Sequence, residues 1–125
     1  MSNKWSGLEG EGYRIEDLGR PAVFLIPVRK LKVGVVGRTT EEKLRRFLIG
    51  NFGAFSSSRV PSFGFWKDIE QATISDECAI YEVSFVGKDK ISILLKELAQ
   101  TARDIDEKCI YFKAGQYACL VYPAD

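Results

Sequence analysis

The chain contains no histidine. That absence removes Ser-His-Asp and Cys-His catalysis, histidine ligation of metals and the usual proton shuttle near neutral pH. Any chemistry must then be carried by carboxylates, Lys, Arg, Tyr or Cys. Neither sign of charge is in excess: 18 Lys and Arg face 17 Asp and Glu, a net of +1, so no global field draws in a nucleic acid or an anionic membrane. No apolar run approaches the roughly 20 residues that cross a bilayer. The start, Met1-Ser2-Asn3-Lys4-Trp5-Ser6-Gly7, lacks the apolar core of a secretory signal, and a cytoplasmic location is expected. Cysteine is scarce: Cys78, Cys109 and Cys119 show no Cys-x-x-Cys spacing, so neither a disulfide framework nor a zinc knuckle is indicated. They read as small buried hydrophobes. On a hairpin turning near Gly115, Cys119 would face Ile110 and Cys109 would face Leu120. No cofactor and no metal is expected from this inventory.

What is present suits one small globular domain: 125 residues, 46% apolar and 28% charged. Gly7, Gly10, Gly12 and Gly19 interrupt residues 1–21, which are expected to form a flexible N-terminal arm. Residues 22–125 are expected to form a single α+β domain. It opens with the apolar run Ala22–Val28, in which Pro27 marks a sheet edge or a bulge. Lys30–Val35 alternates, with Leu31, Val33 and Val35 on one face of a second strand or a bent continuation. Thr39-Thr40-Glu41-Glu42 forms a capping box ahead of Leu44, Phe47, Leu48 and Phe52 at helical spacing, and Gly50 and Gly53 end that helix. Asp68–Asp76 reads as a loop, and Ala79–Val86 as a strand with Tyr81, Val83 and Phe85 on one face and Glu82 and Ser84 on the other. A second helix follows, with Asp89 as N-cap, the stripe Ile91, Leu94, Leu95, Leu98, Ala102 and Ile105, and an i,i+4 pair of Asp104 with Lys108. Cys109–Lys113 and Tyr117–Tyr122 close the chain as a hairpin around Ala114-Gly115. This order predicts an α+β, ferredoxin-like split β-α-β sandwich: an antiparallel sheet with two helices on one face and an extra C-terminal strand.

Two groupings are candidate ligand sites. The first is Arg59 with Phe63, Phe65, Trp66 and Lys67. Ser62-Phe63-Gly64-Phe65-Trp66 resembles the central aromatic octamer of RNA-recognition-motif domains, and Val23–Val28 resembles the hexamer on their first strand. The resemblance implies a stacking platform for single-stranded RNA made by Phe24, Phe63 and Phe65, with Arg59 or Lys67 on phosphates. The pattern is departed from at Pro61-Ser62, where a basic residue and a glycine belong, at Pro27, and in strand order. On the plainer reading Phe63 and Phe65 face the helices as core and Trp66 lies at an edge. The second grouping is Arg38, Thr39 and Thr40, where a strand runs through glycine into a capped helix and could hold a small anion. Walker and dinucleotide patterns both fail there, and a plain strand-to-helix turn is the alternative.

Glu82 and Ser84 could place a general base in a cleft, or could face solvent or another subunit. Asp104, Asp106 and Glu107 could suggest a cation site, or could be the wet side of a helix end. The resulting expectation is a non-catalytic binding or regulatory module that self-associates through its open sheet face as a homodimer, or meets another protein or a small anionic ligand. One alternative is single-strand RNA binding. Another is a small histidine-free enzyme with a pocket at a dimer interface, using Glu82, Tyr81 and Arg59.

Overall fold

The computed structural model describes residue 5 and residues 7–59, 63–67 and 73–124; for 63–67 and 73–76 it describes the backbone path alone. Strand β1 (Arg20–Pro27) alternates buried and half-buried residues, with Ala22, Phe24 and Ile26 fully enclosed. It starts at Arg20 rather than Ala22. Pro27 ends it at no cost to two-sided pairing, because the strand on one flank leaves after Phe24.

The expected strand over Lys30–Val35 is corrected. A 3-10 turn (Val28–Lys30) follows Pro27, then a miniature hairpin of β2 (Gly34–Val35) and β3 (Arg38–Thr39). The Val33 carbonyl accepts from the Thr40 amide (2.8 Å) and hydroxyl (2.9 Å), so this segment docks on a helix start and not in the sheet. Helix α1 (Thr40–Phe52) is capped as its sequence predicts: Thr39 Oγ1 accepts from the Glu42 amide at 3.2 Å. Gly50 lies inside it; Gly53 alone ends it, in the left-handed conformation that glycine adopts without a Cβ penalty.

Two short strands, β4 (Ser56–Ser58) and β5 (Phe63–Lys67), both pair with the long β6 (Thr73–Phe85). The loop expected over 68–76 therefore gives way to strand from Thr73; residues 68–72 lie outside the described residues. Helix α2 (Lys88–Asp104) is entered through Gly87 at φ +90°, which replaces Asp89 as N-cap; Asp89 sits in the first turn. The terminal strands β7 (Ile110–Ala114) and β8 (Tyr117–Val121) pair Phe112 with Cys119 and Ile110 with Val121. This corrects the expected register by a two-residue slip, which leaves every side chain on its expected face.

The sheet order is β4-β6-β1-β7-β8, antiparallel throughout, with β5 continuing along β6. With both helices on one face, this is the ferredoxin-like α+β arrangement with an added C-terminal strand. Leu44 and Leu48 of α1 and Leu94, Leu98 and Ala102 of α2 meet Phe24, Ile26, Tyr81, Val83 and Phe112 in one core. Lys43 ties the helices together, 2.9 Å from Asp104 and 3.4 Å from Glu97. Asp104 is thus spent on α1 rather than on Lys108, since the helix ends at Asp104. Among the described residues no helix is long and apolar enough to cross a membrane.

Candidate functional site

Beyond Glu82, strand β6 has lost β4 as its neighbour but still pairs with β1 as far as Phe85. The open edge this leaves forms one wall of a cleft of about 480 Å³, within the roughly 300–1,000 Å³ usual for small-molecule sites. Its other walls come from Asn51 and Phe52 at the end of α1, from Ala54–Ser56, and from Lys90 in α2. Asp17 and Leu18 of the N-terminal arm close one side.

Three half-buried rings, Phe52, Phe55 and Phe85, give the cleft its apolar surface. Phe55 joins it to the core, its ring 5.9 Å from that of Tyr81. Charge is supplied by the exposed carboxylates Asp17 and Glu82 and by the half-buried ammonium of Lys90. Asp17 is held in place: one of its oxygens accepts from the Gly19 amide at 2.9 Å and from the Trp5 indole at 3.3 Å. Gly19 is the hinge of that arrangement. It sits at φ +89°, and a Cβ there would stand 2.1 Å from the Phe85 carbonyl oxygen, so only glycine lets the arm lie this close to β6. Lys90 Nζ donates to the Asn51 carbonyl at 2.9 Å, which fixes its stem and leaves two of its three donors for the cleft.

The sequence-derived site residues do not gather here. Arg38, Thr39 and Thr40 lie at the other end of α1; Thr39 is spent on the cap and the Thr40 hydroxyl on Val33. Arg59 pairs with Glu41 and does not line the cleft. The side chains of Phe63, Phe65, Trp66 and Lys67 lie outside the described residues. Phe24 is fully buried and stacked on Tyr81, which withdraws it from any base-stacking platform and corrects the RNA-binding reading. Of the expected trio Glu82, Tyr81 and Arg59, the cleft takes Glu82 alone. Tyr81 points into the core, where burial pushes its phenol above the ordinary range against the opposing pull of Arg59. Asp104 is an ion-pair partner of Lys43, and no cluster of three metal-ligating side chains occurs among the described residues.

Sequence reasoning missed Asp17, Gly19 and Lys90. The arm's glycines read only as interruptions, and Lys90 is one lysine among many on a helix. Glu82 and Ser84 carried the visible signal, polar residues alternating with a core strand.

No family model matches the chain, and no curated protein matches it. Two solved structures share its fold. A phage SAM lyase in its apo state superposes with a TM-score of 0.55 at 13% identity, over 88% of this chain and 96% of that one. A phage SAM lyase in complex with S-methyl-5'-thioadenosine superposes with a TM-score of 0.52 at 11% identity, over 89% and 96%. At these identities the likeness establishes a shared fold. It also corrects the expectation of a non-catalytic binding module, because both structures that carry this arrangement are of an enzyme.

Proposed function

We propose that the chain is a small histidine-free lyase acting on a sulfonium nucleoside of the S-adenosylmethionine type, with its site in the cleft at the β6 edge. The observation that carries this reading is the charge set of the cleft. Asp17 and Glu82 supply two negative groups and Lys90 one positive group, beside the rings of Phe52, Phe55 and Phe85. S-adenosylmethionine presents the mirror image: a cationic sulfonium, a cationic ammonium, one carboxylate and a flat purine. Aromatic faces suit both the purine and the sulfonium.

The chemistry is also compatible with a chain lacking histidine. When a carbon–sulfur bond of a sulfonium breaks, its electron pair returns to sulfur and a neutral thioether departs. The leaving atom needs no proton, so no general acid has to be tuned near neutral pH. In a lyase the electron pair that replaces the lost bond comes from within the substrate, and neither water nor a redox partner is consumed. What the protein must supply is orientation and electrostatic support, which carboxylates and rings can give.

The uncovered sheet face adjoins this cleft. Val23, Leu25, Ile80, Tyr111 and Leu120 form its apolar part, and Val23 pairs with Glu82 on one flank and Lys113 on the other. Glu82 belongs both to this face and to the cleft. A second copy packed here, its Lys113 meeting Glu82, would roof the site, and we read the enzyme as self-associating in this way in the cytoplasm. A monomer in native mass spectrometry at micromolar concentration would remove that roof from the reading.

The deciding experiment is incubation of the purified chain with S-adenosylmethionine, with chromatographic detection of S-methyl-5'-thioadenosine. Product formation that Glu82→Gln reduces about 10-fold or more, with unchanged melting, supports the assignment. Wild-type protein that neither forms nor binds S-methyl-5'-thioadenosine overturns it.

A further inference from the structure

We infer that Lys90 determines specificity at this site by binding the carboxylate of the substrate's amino-acid end. The inference rests on the reading of the cleft as a sulfonium-nucleoside site and assigns one part of that substrate to one side chain. Lys90 is the sole cation among the residues that line the cleft. Its position is fixed from both ends: its backbone lies in the first turn of α2, and its ammonium is held at 2.9 Å by the Asn51 carbonyl. Asn51 is held in turn, its side-chain amide donating to the Phe47 carbonyl at 2.9 Å.

Neither cleft carboxylate neutralises Lys90. Among the described residues no acidic side chain forms an ion pair with it, and Asp17 is turned toward Gly19 and Trp5. An ammonium with two unused donors in a half-enclosed, ring-lined cleft attracts a ligand anion. In a ligand of this class the only anion is the carboxylate, so its placement at Lys90 sends the ammonium and sulfonium toward Asp17 and Glu82. The orientation of the whole substrate follows from one fixed contact. The same contact discriminates against nucleoside thioethers that lack an amino-acid end.

Two ligands without a cleavable sulfonium separate this role from a structural one. S-adenosylhomocysteine carries the carboxylate, and S-methyl-5'-thioadenosine does not. With the full chain in isothermal titration, Lys90→Met is expected to weaken S-adenosylhomocysteine about 10- to 100-fold, the range of a lost charge-assisted bond, and to leave S-methyl-5'-thioadenosine within about 2-fold. Lys90→Arg should retain most of the S-adenosylhomocysteine affinity. Equal weakening of both ligands would show that Lys90 acts only through Asn51 and the end of α1, and would overturn the inference. So would no weakening of either. A wild-type chain that binds S-methyl-5'-thioadenosine but prefers it over S-adenosylhomocysteine leaves the cleft assignment standing and sinks the carboxylate contact. A wild-type chain that binds neither sinks both.

Discussion

The ring of Phe24 on β1 lies parallel to that of Tyr81 on β6, 5.0 Å away and 1° from coplanar. The two residues are directly paired across the strands, and Phe55 extends the cluster to the wall of the cleft. The core and the candidate site are therefore one continuous packing unit, in which Tyr81 is shared.

Phe24→Ala should destabilise the fold by about 3–5 kcal/mol, as expected for a large buried ring whose cavity cannot collapse. Urea unfolding measures this. A loss below about 1 kcal/mol would place the ring outside the core and reopen a role on the surface.

The Lys43 pair sets a pH window. Burial opposes ionisation of Asp104, but its bonds from Lys43 and Gln100 outweigh that and hold the carboxyl below its ordinary range. Burial likewise opposes the charge on Lys43, and Asp104 with Glu97 outweighs it, so the ammonium is held above its ordinary value. The carboxyl contribution is fully present above about pH 4 and is lost as pH falls through the lower folded value. The ammonium contribution is complete below about pH 10 and is lost as pH rises past it. Lys43→Met should cost about 1–3 kcal/mol at pH 7, because it strands Glu97, whose Oε2 is buried without a hydrogen bond. The difference from wild type should shrink below about pH 4. Melting curves across pH test this, and a pH-independent difference would refute it.

Gly19→Ala should release the arm from β6. A non-glycine residue at that φ costs about 1–2 kcal/mol, and the contact with the Phe85 carbonyl adds to it. Binding of S-methyl-5'-thioadenosine should weaken while the core melts nearly as before, because Gly19 lies outside the core. Unchanged binding would remove Asp17 from the site.

Val36 occupies the tip of the β2–β3 hairpin at φ +48° and is 97% exposed, a conformation that a β-branched side chain resists. Gly37 follows at φ +82°, so Val36→Asn creates the Asn-Gly pair that such two-residue turns favour. A gain of about 1 kcal/mol is expected from thermal unfolding. A loss would show that the valine is held there by contacts of its own.

The order of elements was legible in the sequence wherever one residue's neighbours decide its conformation. The Thr39 cap, the apolar stripes of α1 and α2, and the alternation of Tyr81, Val83 and Phe85 against Glu82 and Ser84 are local signals, and period alone assigns their faces. That local information also places two helices on one side of a sheet, and the absence of histidine bounds the chemistry. The exceptions are instructive. Lys30–Val35 alternates as a strand would, yet its backbone bonds go to α1, because Pro27 turns the chain out of the sheet. Cys119 takes its predicted face but not its predicted partner, since the turn and not the pattern sets register.

The site depended on the tertiary structure. Asp17, Glu82 and Lys90 are far apart in the chain, and nothing in their spacing relates them. They meet because β4 stops pairing at Glu82 and α2 starts beside that open edge. Gly19 then lets the arm approach the Phe85 carbonyl more closely than any side chain would permit. Composition and periodicity determined which residues are buried; only the packed backbone decided which charges share a cleft.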